Sequence, residues 1–204
     1  MRKKLLILFT MGLLLAGCGN GRDIGAFDNG GDASTQQTTN SESAGTEEAG
    51  TESTEQQAYV FEFENAVTVA GDTMSSGVFA NSKLTMVNVW ATFCNPCISE
   101  MPDLGEIATA YDASEFQLIG IVADAMEGDE AMLEEAKAII DETGANYPHL
   151  LLNEELYVNL VGASDSVPTT YFFNQSGELL GYLKGAQSKD AWTQIIDSLL
   201  EEID

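Results

Sequence analysis

Residues 83–97 read KLTMVNVWATFCNPC. The apolar, partly β-branched run from Leu84 to Ala91 has the length and composition of a strand buried on both faces. Thr92 and Phe93 follow, then Cys94-Asn95-Pro96-Cys97, where a helix is expected to begin near Cys94 and run towards Tyr111. A fully buried strand that turns at once into a helix demands a sheet with other elements packed against it. The cysteine pair admits three uses: half of a zinc site, a structural staple, or a redox couple.

The segments on either side supply the rest of such a sheet. YVFEFENAVTVAG reads as one or two short strands of an edge hairpin, and FQLIGIVAD as a second buried strand. DEAMLEEAKAIIDETG opens on a capping aspartate and closes on glycine, the signature of a complete helix. NYPHLLLN is loop and short strand, with His149 placed in the loop, and EELYVNLVG is a short helix. PTTYFFNQSGELLGYLKG is strand, turn at Gln175-Ser176-Gly177, strand. In SKDAWTQIIDSLLEEI, Trp192, Ile195, Ile196, Leu199 and Leu200 fall on one helical face. The order β-α-β-α-β-β-α defines an α/β domain: a mixed sheet with helices on both faces and an N-terminal β extension.

The chain's front end bears on compartment. Arg2, Lys3 and Lys4 precede the apolar LLILFTMGLLLAG, a pattern that fits an export signal and is short for a permanent span. The LAGC that closes it resembles the bacterial lipobox, which implies cleavage before Cys18 and lipidation of its thiol. Residues 1–17 are thus expected to be a lipoprotein signal peptide. Residues 18–57, rich in Ser, Thr and Glu, have almost nothing to bury and are expected to form a disordered acidic tether with a reach of about 30–40 Å. Residues 58–204 are left for one domain. Without residues 1–17 the chain carries 5 Lys+Arg against 33 Asp+Glu. Such a polyanion is poorly suited to nucleic acid.

WATFCNPC, the SEMP that follows, and VPTTYFFNQSGELLGYLKG about seventy residues later together resemble the thioredoxin superfamily. More narrowly, they are similar to its TlpA/ResA-like branch of membrane-anchored thiol-disulfide oxidoreductases. The resemblance covers most of residues 58–204 and implies a thioredoxin-like fold. A cysteine at a helix N-terminus faces unpaired N–H groups and the positive end of the helix dipole, which favour its thiolate. Cys94 is therefore the expected attacking sulfur and Cys97 the resolving one, with Asn95 and Pro96 keeping the turn between them short. Zinc fails by count. With Cys18 lipidated, Cys94, Cys97 and His149 fall short of four ligands. A staple closing so small a loop would constrain the unfolded chain little.

The resemblance also implies that Pro168 is a cis-proline facing the cysteines and that Val167 offers its backbone to the client chain. It implies that Glu100 acts near the site, taking a proton from Cys97 or raising the thiol pKa. Trp90 is read most simply as core packing beside the site, and with Asn95, Pro96 and Val167 it is expected to border the client. Asn88 stands where thioredoxin has a buried aspartate, and Phe93 where the branch more usually has tryptophan. Pro102 lies inside the helix and removes one backbone bond there.

Function follows as an expectation: a lipid-anchored oxidoreductase on the extracytoplasmic face of the cell membrane, reducing disulfides of envelope proteins such as cytochrome c apoproteins or oxidised reductases. Members of the branch receive electrons from a membrane partner of the CcdA/DsbD type. No cofactor beyond the Cys94–Cys97 couple, and no metal, is expected. Two alternatives stay open: a disulfide-forming oxidase, and a copper-binding chaperone module.

Overall fold

The computed structural model of the protein describes residues 58–203. Cys18, the leader and the acidic tether lie outside the described residues. Two short strands, β1 (Ala66–Val67) and β2 (Thr73–Met74), precede the central β3 (Leu84–Trp90). Then come α1 (Asn95–Ile107), β4 (Phe116–Met126), α2 (Glu130–Thr143), β5 (His149–Leu152) and α3 (Glu154–Asn159). β6 (Thr169–Asn174), β7 (Leu179–Lys184) and α4 (Lys189–Ile203) complete the domain. The main sheet has the order β5-β4-β3-β6-β7. β3 pairs parallel with β4 and antiparallel with β6, so the sheet is mixed as expected.

Alternation along β3 divides the core into two layers. Met86 and Trp90 join Leu118, Val122 and Phe172 under Met101 and Leu104 of α1, Ala136 of α2, and Trp192 and Ile196 of α4. Val87 and Val89 face the other way, towards Tyr171, Phe173 and Leu156 of α3. That second layer is closed by an aromatic group in which Phe61, Phe79 and Phe173 pack with ring centroids 5.2–6.1 Å apart, Phe61 and Phe173 stacked.

The N-terminal extension is more divided than a simple hairpin. β1 and β2 pair over only two residues each. Tyr59–Phe63 instead runs beside the start of β7, where Leu179 N donates to Tyr59 O and Phe61 N donates to Gly177 O. Gly177 turns with φ 76°, and a Cβ there would press on the Phe79 ring at 3.1 Å. The helix caps follow the sequence: Asp129 accepts from Met132 N, and Gly144 ends α2 with φ 70°. α1 continues through Pro102 but stops at Ile107, short of Tyr111. Tyr111 instead donates its hydroxyl to Asp197 of α4 at 2.9 Å.

Candidate active site

Cys94 is the N-cap residue of α1, and its sulfur accepts from Cys97 N at 3.3 Å. The two cysteines are disulfide-bonded, with Cα atoms 5.3 Å apart. Cys94 retains 6% of its surface and Cys97 none. A reagent from solution therefore meets Cys94 first. Asn95 and Pro96 are exposed beside it, and Phe93 is 74% exposed.

The loop that presents Phe93 is held tightly. Thr92 N lies 3.1 and 3.0 Å from the two oxygens of Asp124, and Thr92 Oγ1 donates to Asp124 Oδ2 at 2.7 Å. Asp124 sits where β4 loses register with β5, between Val122 and Met126. Such an irregularity re-aims a side chain, here a carboxylate at the end of a parallel strand. With Thr92 fixed, the Phe93 ring is directed outward.

The Val167–Pro168 peptide bond is cis. Val89 pairs with Thr169 in the antiparallel β3–β6 register. Val167 and Pro168 lie immediately before the first residue of this pairing. Val167 is half-buried and packs on the layer that contains both cysteines. Among the described residues its backbone takes no hydrogen bond, whereas Pro168 O accepts from Gly185 N at 2.8 Å.

Glu100 follows Cys97 by one helical turn on the buried face of α1 and is 3% exposed. Its Oε1 accepts from Asn88 Nδ2 at 3.2 Å, and its Oε2 from Gln187 N at 3.0 Å and Trp192 Nε1 at 3.3 Å. Burial raises its pKa above that of an ordinary carboxyl, although all three donors pull the other way. Asn88 also donates to Thr170 Oγ1 at 3.0 Å. Two buried polar atoms of this region, Asn88 Oδ1 and Tyr147 Oη, have no partner among the described residues. Burial, and secondarily the Glu100 charge, push the Tyr147 phenol far up.

Two expectations need correction. Trp90 has no exposed surface and its indole lies inside the core, which agrees with the packing reading and corrects only its expected place on the client-binding side. It closes the end of β3, whose seven residues are all buried, so it acts from behind the site. His149 is expected in a loop, and the structure differs. The residue begins β5, is 3% exposed, and takes the indole N–H of Trp90 on Nδ1 at 3.1 Å. Sequence reasoning also missed Asp124, Thr170 and Trp192 as partners of the site. For Asp124 a signal existed: an acid closing an apolar strand that runs parallel to the one feeding the cysteines. Among the described residues no three His, Cys, Asp or Glu side chains converge as a metal site would require.

A five-stranded mixed sheet flanked by helices, with a Cys-x-x-Cys pair at a helix start and a cis-proline beside it, defines a thioredoxin-like protein. The sequence profile of the AhpC/TSA family matches residues 54–180, more than half of the chain, and the chain belongs to that family. It is 32% identical over 110 residues to the thiol-disulfide oxidoreductase ResA of Oceanobacillus iheyensis, covering 53% of each chain. The chain thus spans about half the length of that curated relative. Among solved structures, a thiol:disulfide interchange protein of the thioredoxin family from Chlorobium tepidum is similar at TM-score 0.60 and 27% identity, over 70% of this chain and 96% of that one. The pneumococcal exposed lipoprotein thioredoxin from Streptococcus pneumoniae is similar at TM-score 0.51 and 25% identity, over 67% and 98%.

Proposed function

We propose that this protein is a thiol-disulfide oxidoreductase that reduces disulfides of exported proteins, held to the outer face of the cell membrane by a lipid on Cys18. The observation that carries the reading is the asymmetry of the pair: Cys94 reaches the surface at the helix N-terminus and Cys97 lies sealed behind it.

The reaction starts from the dithiol. Cys94 thiolate attacks one sulfur of a client disulfide, forming a Cys94–client bond and releasing the other client sulfur as a thiolate. Glu100, one turn beyond Cys97, takes the Cys97 proton, and Cys97 then attacks Cys94 Sγ. The second client sulfur leaves. Two electrons have passed to the client, and the Cys94–Cys97 disulfide remains. A membrane dithiol donor of the CcdA/DsbD type restores the pair by the same exchange in reverse order. Burial of Glu100 suits it to this step, because a carboxylate with a raised proton affinity is a better base towards a thiol.

The client chain lies along Val167, whose backbone is free to pair, and against the outward ring of Phe93. Pro96 favours the reducing direction, since it resembles the reducing members of the branch. Cytochrome c apoproteins and oxidised envelope reductases are the client classes. Cys97→Ser stalls the cycle at the mixed disulfide. Purified from cells without reductant and released with dithiothreitol, it is expected to yield exported, cysteine-bearing proteins. A trap that recovers nothing through Cys94 would overturn the reading.

A further inference from the structure

His149 has no part in the exchange steps above, yet its surroundings are built around it. It is 3% exposed. Nδ1 lies 3.1 Å from Trp90 Nε1, and Nε2 lies 2.9 Å from Ala145 O. An indole N–H only donates and a carbonyl only accepts, so one neutral tautomer, protonated on Nε2, satisfies both. The Tyr147 ring covers the imidazole with centroids 4.3 Å apart, and Trp90 meets it edge-on at 81°.

The ring reaches Trp90 across an intervening strand. Asn88 of β3, Gly120 of β4 and His149 of β5 lie in register. A Cβ on Gly120 would fall on the imidazole itself. The glycine thus leaves on β4 the space that lets a β5 side chain bond the last residue of β3. From there only Ala91, Thr92 and Phe93 separate Trp90 from Cys94. The loop accordingly has two anchors, Thr92 to Asp124 of β4 and Trp90 to His149 of β5.

We propose that His149 is a positioning residue for disulfide exchange: by holding the Trp90 indole it sets the end of β3, and with it the seat of Cys94 at the N-terminus of α1. The proposal rests on the thiol-disulfide reading above. The helix end favours the thiolate only within its first turn, so a small displacement of Cys94 weakens its activation.

The test compares His149→Phe, which keeps a ring but loses the acceptor, with Trp90→Phe, which loses the donor, and His149→Gln, which keeps an acceptor. In a Cys97→Ser background, alkylation of Cys94 is followed against pH, giving the thiol pKa and the thiolate rate together. His149→Phe and Trp90→Phe are each expected to slow alkylation at neutral pH about two- to tenfold, the worth of one buried hydrogen bond. The double variant is expected to lose no more than either single, and His149→Gln to recover part of the loss. A folded His149→Phe with the reactivity and pKa of the parent overturns the proposal, as do losses that add in the double variant. If His149→Phe does not fold, Trp90→Phe decides: unaltered Cys94 reactivity there overturns it. Exchange by the unsubstituted protein with an oxidised protein disulfide is measured alongside. Its absence removes the functional reading, whereas its presence with unaltered Cys94 reactivity in the variants removes only the role of His149.

Discussion

Thr92 and Asp124 are joined three times: the Thr92 N–H points between both carboxylate oxygens at 3.0–3.1 Å, and its hydroxyl donates to one of them at 2.7 Å. The clamp fixes the backbone two residues before the accessible sulfur. Asp124→Ala leaves the Thr92 donors without their acceptor. It is expected to cost about 1–3 kcal/mol in denaturant unfolding, and to slow exchange as well, because Cys94 loses one of its loop's two anchors. Asp124→Asn, which keeps one acceptor oxygen, is expected to fall between. A variant with parental stability and rate would show that the clamp is idle.

Glu100 yields a pH dependence with a defined sign. Burial raises its folded-state proton affinity above that of the unfolded chain. Its contribution to stability is therefore fully present below the unfolded value and is lost as pH rises through the folded one. Glu100→Gln removes this loss, so the variant is expected to gain stability relative to the parent as pH rises from acid to neutral. In the proposed proton step the sign reverses: a base works only when ionised. The acid limb of the parent's exchange rate is expected to flatten in Glu100→Gln, with a lower plateau. An unchanged rate profile would remove Glu100 from the proton step.

His149 acts in the opposite sense. Burial lowers its pKa to about 4 from an ordinary 6.5. Its contribution is present above about pH 6.5 and is lost as pH falls towards 4, by about 3 kcal/mol in all. Protonation would set an N–H on Nδ1 against the Trp90 N–H. His149→Phe is expected to lose this part of the acid limb in urea titrations at stepped pH. An identical acid limb in parent and variant would contradict the buried neutral imidazole.

Cys18→Ser tests the anchor. The variant is expected to leave the membrane fraction or to persist as an uncleaved precursor. Mature, membrane-bound Cys18→Ser would exclude lipidation at this position.

The parts of the fold legible in the sequence are those set by local chemistry. β3 and β4 announce themselves as apolar runs, α2 by Asp129 and Gly144, and the β6–β7 turn by Gly177. Glu100 can be placed one turn beyond Cys97 on α1 from their spacing alone. What sequence could not show is lateral. That His149 bonds Trp90 depends on the order β5-β4-β3 and on Gly120 between them. That Asp124 holds Thr92 depends on a lapse of register in β4, and no periodicity reports such a lapse. Trp90, next to the motif in sequence, is legible as core packing, but its proximity along the chain says nothing of which buried side chain it bonds. α1 ends at Ile107, and Tyr111 instead meets Asp197, a contact with the far end of the chain that no local pattern reports.

The central claim is that the two cysteines are chemically unequal, with Cys94 forming the bond to the client and Cys97 breaking it. Its most direct test is to present Cys97→Ser and Cys94→Ser separately, at neutral pH, with an oxidised disulfide-bearing protein, and to weigh the products without reductant. The account predicts a dithiothreitol-sensitive adduct through Cys94 in Cys97→Ser and none in Cys94→Ser. Adducts formed equally by both variants, or only through Cys97, would contradict it.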